Sequence, residues 1–475
     1  MKYIIVGGGI AGVSCASQML QLERSANLEV IIISASSFVK SVENYQKIGQ
    51  YGEKFDVKET NCHELFPDSR IRFLNDTVVT WDSSKNEIHL QNNEKLKYDK
   101  LCIATGSRPK FQKELGIDRR IVFLRDTQSA IQLKTKLKNA KNILIVGNGG
   151  IATELIFELK TFDVTWLIKD PWICASFFPE DIEQFIEKRL LKGRIDGNKH
   201  DGQQKHLQHV AASESVSENM NNPSGPALGP DWCSQIDFQK ISEKSENRSV
   251  TILRNCVITS TDTSQNLSVH YMDKEKMADN QLNPDIFIWA GGVTANSEVW
   301  AMNKMLQITE NSGIKVNDAC ETSLPNVFAC GDVCALTTTE PSTLWQQRQL
   351  WTQARQQGEV CGRAMVAGVE EARMQNMYFE LFSHCTTFFG LKVVFLGDYK
   401  PERQVEGEWK IVLRDADNDQ LVRCVVVKNK IVGALLIGET DMEETLENLI
   451  LNKTDLEGIS ETFLEPGVDL DDYFD

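Results

Sequence analysis

Two segments of the chain repeat one pattern of hydrophobic and polar positions. In residues 2–36 and again in residues 142–170, a β-branched apolar run is followed by a glycine-rich turn, a helical stretch and a second apolar run. Strand, helix and strand in this order form a βαβ unit, in which the two strands lie in one parallel sheet. The pattern therefore predicts two Rossmann-like dinucleotide-binding domains in one chain.

The segments outside these units predict how each domain is completed. Apolar strands are expected within residues 97–109, 250–261, 285–292 and 323–334, and helices within residues 132–141 and 344–366. From residue 373 onward, short β-type runs precede an amphipathic helix at 442–451. The predicted fold class is therefore α/β, with two Rossmann-like domains and a C-terminal α+β domain.

The order of these segments predicts that one dinucleotide domain interrupts the other. The first domain takes residues 1–125 and 300–372 and is discontinuous, while the second takes residues 126–299 and is inserted into it. Residues 193–248 are rich in Gly, Asn, Ser, His and Gln and are expected to form a polar insertion in the second domain. The last domain, residues 373–475, ends in an acidic tail.

Composition and charge argue against several classes of protein. With 475 residues and 41% hydrophobic content, the chain can build several cores. Its formal charge of −16 repels nucleic-acid phosphates and anionic lipids, so neither is expected as a direct partner. We expect no signal or transit peptide, and no apolar run approaches the roughly 18 to 20 residues that span a bilayer. Twelve scattered cysteines without metal-type spacing indicate a reducing compartment, so we expect a cytoplasmic and/or nuclear protein without a metal site.

The first glycine turn has the spacing of a phosphate-binding loop. Gly7, Gly9 and Gly12 form a GxGxxG sequence between the first strand and its helix. Gly7 permits the tight turn, Gly9 lets the backbone approach a pyrophosphate at the positive helix end, and Gly12 lets the helix pack closely on the sheet. The same loop contains the candidate binding residues Gly8, Ile10 and Ala11.

The second glycine turn repeats this arrangement. It consists of Gly147, Gly149 and Ala152, and alanine is tolerated in the third place. We expect a nicotinamide dinucleotide to lie along this turn and to reach across a second pair of glycines. The remaining candidate residues of this site are Gly150, Ile151, Gly291 and Gly292.

The strand ends that follow the two turns depart from the usual pattern, in which an acidic residue bonds a ribose hydroxyl. Ser34 occupies that place in the first unit. Lys169 and Asp170 stand there in the second unit, where the lysine would suit the 2′-phosphate of NADPH and the aspartate the 2′-hydroxyl of NADH. Both could equally be solvated loop charges, so the pattern leaves the coenzyme preference open.

Four sequence markers occur in a fixed order along the chain. They are the first glycine turn, the ATG of Ala104, Thr105 and Gly106, the second glycine turn, and the CGD of Cys330, Gly331 and Asp332. In this order they resemble the FAD-dependent pyridine nucleotide-disulfide oxidoreductase superfamily over residues 2–368. The resemblance implies FAD at the first turn, NADH or NADPH at the second, and hydride transfer from the nicotinamide to the flavin.

The same resemblance implies roles for residues around the flavin. Asp332 would accept a hydrogen bond from the ribityl chain, and the backbone of Gly331 and Val333 would lie near the phosphates. A helix would direct its first turn at the pyrimidine end of the flavin, where the helix dipole stabilises the anionic reduced ring. That turn contains Trp351, Thr352 and Gln353, and the candidate contacts also include Ser34 and Arg108.

One pair of charged residues is a candidate for the chemistry itself. Lys40 lies where related flavin reductases place a lysine beside the flavin, and Glu154 lies on the helix where they place its partner. We hypothesise that Lys40 and Glu154 form a buried ion pair next to flavin N5, because charges buried at such a place are rarely left unpaired. The alternative makes Lys40 a solvated loop residue and Glu154 a helix surface residue.

Two motifs of the classical disulfide reductases are missing. Residues 38–61 hold no cysteine where those enzymes carry a CxxxxC pair, and the first cysteine that follows, Cys62, stands alone. The C-terminal HPxxxE general-acid motif is also absent, and His384 is expected to be a partly buried imidazole with a backbone partner. Cys330 and Cys334 flank Gly331 and Asp332 and are expected to be buried apolar cysteines rather than a redox pair.

The sequence does not identify the electron acceptor. Oxygen, a quinone-like compound, a protein or another oxidised group is possible. The segments ALGPDW, LWTQARQ, IGETDMEET and DDYFD resemble one group within the superfamily, whose members are associated with the tRNA ligase complex and protect its catalytic subunit from oxidation. A redox-gated binding partner with slow oxidase turnover is the main alternative, and a disulfide reductase with atypical cysteines is a weaker one.

Overall fold

The computed structural model describes residues 1–25, 27–110, 116, 118–124, 126–195, 249–337, 344–374, 378–400, 409–416, 419–465, 468 and 470. These residues form two compact units. The first unit runs from Met1 to Ser107 and resumes at Ala295, and the second unit takes the residues from Arg108 to Thr294. The chain therefore leaves the first unit after residue 107 and returns to it at residue 295, while the domain bounds 125/126 and 299/300 stay a prediction.

Residues 1–109 contain the predicted βαβ unit and a β-hairpin that directly follows it. The short strands β6 to β8 form a separate antiparallel sheet. The elements are β1 (Lys2–Val6), α1 (Ile10–Leu22), β2 (Glu29–Ser34), β3 (Phe38–Ile48), β4 (Gly52–Asn61), α2 (Cys62–Leu65), β5 (Ile71–Asn75), β6 (Val78–Asp82), β7 (Glu87–Leu90), β8 (Lys95–Lys97), β9 (Lys100–Ile103) and β10 (Ser107–Pro109).

The second unit is built on the second predicted βαβ segment. Its parallel sheet has the order β11-β18-β12-β13-β14, and β15 to β17 form an antiparallel sheet of their own. The elements are β11 (Ile121–Phe123), α3 (Thr127–Leu137), β12 (Asn142–Val146), α4 (Gly150–Glu158), β13 (Asp163–Leu167), α5 (Glu183–Ile195), β14 (Val250–Leu253), β15 (Cys256–Asp262), β16 (Ser268–Asp273), β17 (Ala278–Leu282) and β18 (Ile286–Trp289).

The chain returns to the first unit and completes its parallel sheet, whose order is β21-β9-β1-β2-β5. Apolar side chains alternate across β1, so that Ile4 and Ile5 are both buried but lie in the cores on opposite faces of the sheet. The elements of this return are β19 (Val293–Ala295), α6 (Glu298–Ala301), β20 (Ile314–Val316), β21 (Val327–Ala329), β22 (Cys334–Leu336), α7 (Trp351–Val366) and α8 (Val369–Met374).

The C-terminal region is the predicted α+β module. Its antiparallel sheet has the order β23-β24-β27-β26-β25, and one face packs against the final helix. Among the described residues, no helix combines the length and apolar character needed to cross a membrane. The elements are β23 (Ser383–Phe388), β24 (Leu391–Gly397), β25 (Trp409–Ala416), β26 (Gln420–Val427), β27 (Lys430–Ile437) and α9 (Glu443–Asn452).

Two predicted helix boundaries were wrong. The helix expected from residue 344 begins at Trp351, because the Gln353 side chain bonds Gln346 O at 2.8 Å and Arg348 N at 2.6 Å and so holds that segment non-helical. The helix expected at 132–141 spans Thr127–Leu137, since Asp126 and Ser129 form a capping box at its start. Residues 193–195, expected in the polar insertion, close α5, while 196–248 and most of the acidic tail lie outside the described residues.

Candidate functional site

The first glycine turn has the geometry of a phosphate cradle. Gly7 has a φ of +132°, and a Cβ there would lie 2.0 Å from the Ala104 carbonyl oxygen, so only glycine fits. Gly9 caps α1 without a side-chain hydrogen bond, and no described residue beyond its chain neighbours has an atom within 4 Å of its ideal Cβ position. The first amides of α1 therefore face an open place at the positive helix end, which fits a dinucleotide pyrophosphate.

The predicted ATG and CGD residues lie next to each other at the carboxyl ends of the parallel strands β9 and β21. The Thr105 hydroxyl donates to Asn296 O at 2.8 Å, and the Asn296 amide donates back to Thr105 O at 2.9 Å. Ser107 Oγ donates to Asp332 Oδ2 at 2.8 Å, and Asp332 is half-buried. Burial raises the pKa of Asp332, and the Ser107 hydroxyl opposes the shift. The carboxylate is therefore fixed by one donor, which suits a hydroxyl-rich ligand.

The Gly331–Val333 turn is held from helix α7. Gln357 Oε1 accepts from Gly331 N at 2.8 Å and from Cys334 Sγ at 3.4 Å. Gly331 has a φ of +76°, so the turn uses the left-handed region that favours glycine. Val333 is fully buried behind it. The predicted flavin turn is therefore rigid, and its orientation depends on a glutamine that no sequence motif identified.

The first turn of α7 contacts His384. Thr352 Oγ1 lies 3.2 Å from His384 Nδ1, and the imidazole is only 2% exposed. Burial lowers the pKa of His384 to about 3, and the charge of Arg348 acts in the same direction. The histidine is thus neutral at physiological pH. It was expected to be partly buried with a backbone partner, but it is almost fully buried, and the group that contacts Nδ1 is a threonine side chain.

Lys40 lies on a β-hairpin, in the stretch where the classical disulfide reductases carry a CxxxxC pair. The backbone of Lys40 donates to Gly8 O at 2.9 Å, so strand β3 starts against the phosphate turn. Lys40 Nζ lies 2.7 Å from Glu59 Oε1, and the side chains are 5% and 12% exposed. The register of the hairpin places these two residues directly opposite each other on β3 and β4. Lys40 is therefore a buried cation and not a solvated loop residue.

The other end of the hairpin is held by two buried carboxylates. Glu53 accepts from the Arg355 guanidinium through both oxygens, and Arg355 also lies over the Tyr45 ring at 4.7 Å. Burial alone would lower the pKa of Arg355, but Glu53 raises it. Glu447 of α9 accepts from three successive backbone N–H groups, Gln50 to Gly52. The hairpin is thus tied to α7 and to the C-terminal module.

The second glycine turn repeats the geometry of the first. Gly147 has a φ of +134°, and a Cβ there would lie 2.1 Å from the Ala290 carbonyl oxygen. Gly149 caps α4 without a side-chain hydrogen bond. Asn148, buried within the turn, donates to Asp170 Oδ2 at 2.9 Å and accepts from Cys174 N. Asp170 is thereby oriented beside the phosphate cradle.

The remaining predicted residues of the second unit are the glycine pair after β18 and two charged residues near the second glycine turn. Gly292 has a φ of +94°, and within the described part of the chain no atom apart from those of its neighbours lies within 4 Å of its ideal Cβ position, so the backbone is open there. A Cβ on Gly291 would instead strike the Trp289 ring. Lys169 is exposed, and Glu154 is half-buried on α4. Because Lys40 and Glu154 belong to different units, their pairing remains a prediction.

The described cysteines are all buried. Cys330 and Cys334 contact different groups, since Cys330 Sγ lies 3.5 Å from Cys102 Sγ while Cys334 donates to Gln357. Burial raises the pKa of the Cys62 thiol to about 11 and that of Cys334 well above its usual range. Cys62, at the start of α2, therefore stays protonated at neutral pH, which is unfavourable for attack on a disulfide.

Several residues of the site were not found from the sequence. They all act through pairings between distant parts of the chain, which no local spacing reveals. For Glu59 the alternation of residues 38–61 was the one available signal, because it favours a hairpin with charged cross-strand pairs. The residues that were missed are Glu59, Ser107, Asn148, Asn296 and Gln357.

The sequence matches two protein-family models and several curated relatives. The family model described as pyridine nucleotide-disulphide oxidoreductase matches residues 1–201 and 236–358. The model described as rubredoxin NAD⁺ reductase C-terminal domain matches residues 384–454. Two curated relatives described as pyridine nucleotide-disulfide oxidoreductase domain-containing protein 1 align with 100% of this chain. The Drosophila melanogaster protein is 36% identical over 99% of its length, and the Homo sapiens protein is 33% identical over 98%.

Solved structures share the fold at low sequence identity. The covalent putidaredoxin reductase–putidaredoxin complex has a TM-score of 0.67 at 14% identity, covering 96% of this chain and 94% of that chain. The water-forming NADH oxidase from Lactobacillus brevis bound to NADH has a TM-score of 0.64 at 18% identity, covering 95% and 91%. The predicted fold class is confirmed by these matches.

Proposed function

The chain belongs to the pyridine nucleotide-disulphide oxidoreductase family, and from this premise we propose that it passes electrons from NAD(P)H to an acceptor other than a disulfide reduced by its own cysteines. Its cofactors are FAD and NADH or NADPH. When bound, FAD accepts two electrons from a nicotinamide and releases them to an acceptor. The protein's own task is to bind and orient these groups and to control the charge around them.

The hairpin β3–β4 carries the proposal. A dithiol reductase needs two cysteines beside its flavin, one of them as a reactive thiolate. The residues that follow the first βαβ unit instead form the two strands of this hairpin, and Lys40 and Glu59 are the charged pair at its base. Cys62, the first cysteine after the hairpin, has a buried thiol whose pKa is raised to about 11.

The acceptor is tested by anaerobic stopped-flow reduction of the holoenzyme with NADH and with NADPH, followed by mixing with oxygen, quinones or disulfides. We expect fast reoxidation by oxygen or by a quinone and no sustained turnover with disulfides. A Cys62→Ser variant is the matched control and should behave as wild type. Sustained disulfide turnover that Cys62→Ser abolishes would overturn the proposal and favour the reductase with atypical cysteines.

The coenzyme preference is proposed to be for NADH. Asp170 is oriented by Asn148 beside the second phosphate cradle, whereas Lys169 is exposed. A carboxylate fixed there accepts from ribose hydroxyls and repels a 2′-phosphate. Asp170→Ala should raise KM for NADH about tenfold or more, as expected for the loss of a charged hydrogen bond of roughly 1.5–3 kcal/mol. Lys169→Ala is the control, and a loss of NADPH activity in that variant alone would reverse the assignment.

We also propose a protein partner and a location. The segments ALGPDW, LWTQARQ, IGETDMEET and DDYFD resemble the group associated with the tRNA ligase complex, and this resemblance supports a role in protecting its catalytic subunit from oxidation. The proposal implies a protein of the cytoplasm and/or nucleus. Affinity capture with the full chain should recover that complex, and capture of no ligase subunit at any coenzyme concentration would refute it.

A redox-gated binding partner is the second candidate. The tie between the hairpin and α9 through Glu447 favours it, because groups at the flavin cradle and at the C-terminal module share one hydrogen-bonded element. Under this function a long-lived reduced complex forms and reoxidises slowly. Affinity capture repeated with and without NADH separates the oxidoreductase from the gated partner. Partner recovery that depends on NADH at low turnover indicates gating, and recovery independent of NADH excludes it.

A further inference from the structure

Five sulfur atoms meet in the core of the first unit. Cys102 Sγ lies 3.5 Å from both Cys330 Sγ and Cys361 Sγ. Met365 Sδ lies 3.8 Å from Cys361 Sγ and 4.0 Å from Cys15 Sγ. All five residues are 0% exposed and belong to one apolar core. We call this set, Cys15, Cys102, Cys330, Cys361 and Met365, the sulfur cluster.

The fold brings these sulfurs together from four elements. Cys15 lies on α1, Cys102 on β9, Cys330 just after β21, and Cys361 and Met365 lie one helical turn apart on α7. The two helices approach closely, because a Cβ on Gly362 would lie 2.5 Å from the Cys15 carbonyl oxygen. The positions of the sulfurs are therefore fixed by the backbone packing of the flavin unit.

The spacing of the sulfurs is that of a metal site. Among the described residues, the donors that lie within 4.8 Å of one another as a group are the thiols of Cys15, Cys102 and Cys361. Three sulfurs no more than 4.8 Å apart lie within about 2.8 Å of a common centre, and small shifts bring them to the zinc–thiolate bond length of about 2.3 Å. We propose that the sulfur cluster binds one monovalent soft metal ion of the Cu(I) class between these three cysteines, one of them as the thiolate, with Met365 as a further sulfur neighbour.

The chemistry of the donors selects this class of ion. Thiolates and thioethers together favour soft d¹⁰ ions, and a thioether is not among the usual zinc ligands. The site lies in an apolar core, where an unbalanced charge is costly. Cu(I) bound by one thiolate is electrically neutral, so its binding releases one proton from a thiol to solvent, and the other two thiols stay protonated as sulfur neighbours of the ion. A divalent ion would need a second deprotonation to reach neutrality.

The test uses the FAD-loaded full chain, purified without oxygen. Cu(I) is titrated against a chromophoric Cu(I) chelator, and the bound metal is examined by X-ray absorption. We expect one Cu(I) per chain with sulfur neighbours only. Cys361→Ala should weaken binding by more than the roughly 10- to 100-fold that loss of an outer-shell partner costs. Cys424→Ala, a buried cysteine in the C-terminal sheet, should bind as wild type.

Each outcome decides the proposal. No stoichiometric uptake, tighter binding of Zn²⁺ than of Cu(I), or equal losses in Cys361→Ala and Cys424→Ala would overturn it. If Cys361→Ala fails to retain FAD, Met365→Leu keeps the core filled while removing the thioether, and the wild-type absorption spectrum then decides whether the neighbours are sulfur. Electron transfer to oxygen or quinones is measured separately, so this site and the proposed acceptor succeed or fail independently.

Discussion

The contribution of Lys40 to stability can be separated from its contribution to flavin reduction by comparing variants of Lys40 and Glu59. Lys40→Met removes the buried cation opposite Glu59 and should destabilise the protein by about 3–5 kcal/mol. It should also slow flavin reduction by NAD(P)H. The double variant Lys40→Met/Glu59→Gln replaces both charges, so the stability lost with the Lys40–Glu59 pair should return. Denaturant unfolding and stopped-flow reduction are measured on all three proteins.

The two measurements distinguish the two roles. If Lys40 acts on the flavin, reduction remains slow in the double variant even though stability has returned. If the reduction rate recovers together with stability, Lys40 only holds the hairpin. An unchanged reduction rate in Lys40→Met would contradict both the proposed role at the flavin and the predicted pairing with Glu154.

His384 should make the protein sensitive to acid. Its folded pKa is about 3, whereas an unfolded histidine titrates near its usual value of 6.5. Below pH 6.5 the unfolded state therefore binds a proton that the folded state does not. Stability is complete above that pH and falls towards pH 3 by up to about 1.4 kcal/mol per pH unit from this residue. His384→Gln should flatten the dependence of the unfolding midpoint on pH between 6.5 and 4.5.

The control for this prediction is a substitution of an exposed histidine on another element. His63 is exposed beside the α2 cap, and His63→Gln should leave the acid dependence unchanged. Equal pH slopes for wild type and His384→Gln would show that the buried imidazole does not limit acid stability.

At the scale of elements, Glu447 on α9 should control the turn of the hairpin. Its side chain is 1% exposed and accepts from the N–H groups of Gln50, Tyr51 and Gly52. Glu447→Ala leaves these donors without that acceptor, so it should cost about 2–4 kcal/mol. Hydrogen exchange of the three amides should accelerate. Glu444→Ala, an exposed residue on the same helix, is the control, and slow exchange of the turn in Glu447→Ala would contradict the anchoring role.

Elements with a local signal could be predicted from the sequence. Gly7 and Gly147 mark both phosphate turns because their positive φ values leave glycine as the only choice. The strands at 391–397 and 421–438 and the final helix were also found, since their periodicity is local. The start of α7 was missed, because Gln353 bonds backbone groups five and seven residues earlier and keeps that segment out of the helix.

The site was less predictable than the fold for the same reason. The hairpin β3–β4 stands where the classical disulfide reductases carry their CxxxxC pair, and the Lys40–Glu59 pair depends on its register. The sulfur cluster could not be foreseen at all, because its cysteines are far apart in the sequence and meet through four separate elements. The cysteines therefore show no metal-type spacing along the sequence, although their sulfur atoms lie close together in the folded core.

At the scale of the whole molecule, the two units have separate hydrophobic cores, and each holds its own phosphate cradle. The cores of the first unit surround β1 and β9, and that of the second surrounds β12 and β18. A ligand stabilises the structure that binds it in proportion to RT ln(1 + [L]/Kd). FAD and the nicotinamide coenzyme should therefore protect different parts of the chain against local opening.

Hydrogen exchange on the FAD-free protein tests this division. Adding FAD should protect the amides of β1, the first turn of α1 and the Gly331–Val333 turn, while β12 and the first turn of α4 change little. Adding NADH, or its unreactive analogue, should protect the amides of β12 and the first turn of α4, while β1, the first turn of α1 and the Gly331–Val333 turn change little. Gly147→Ala, whose Cβ would strike the Ala290 carbonyl, should abolish the NADH response and keep the FAD response. Protection of α4 by FAD as strong as that of α1 would show that the two nucleotide cradles do not stabilise the chain independently.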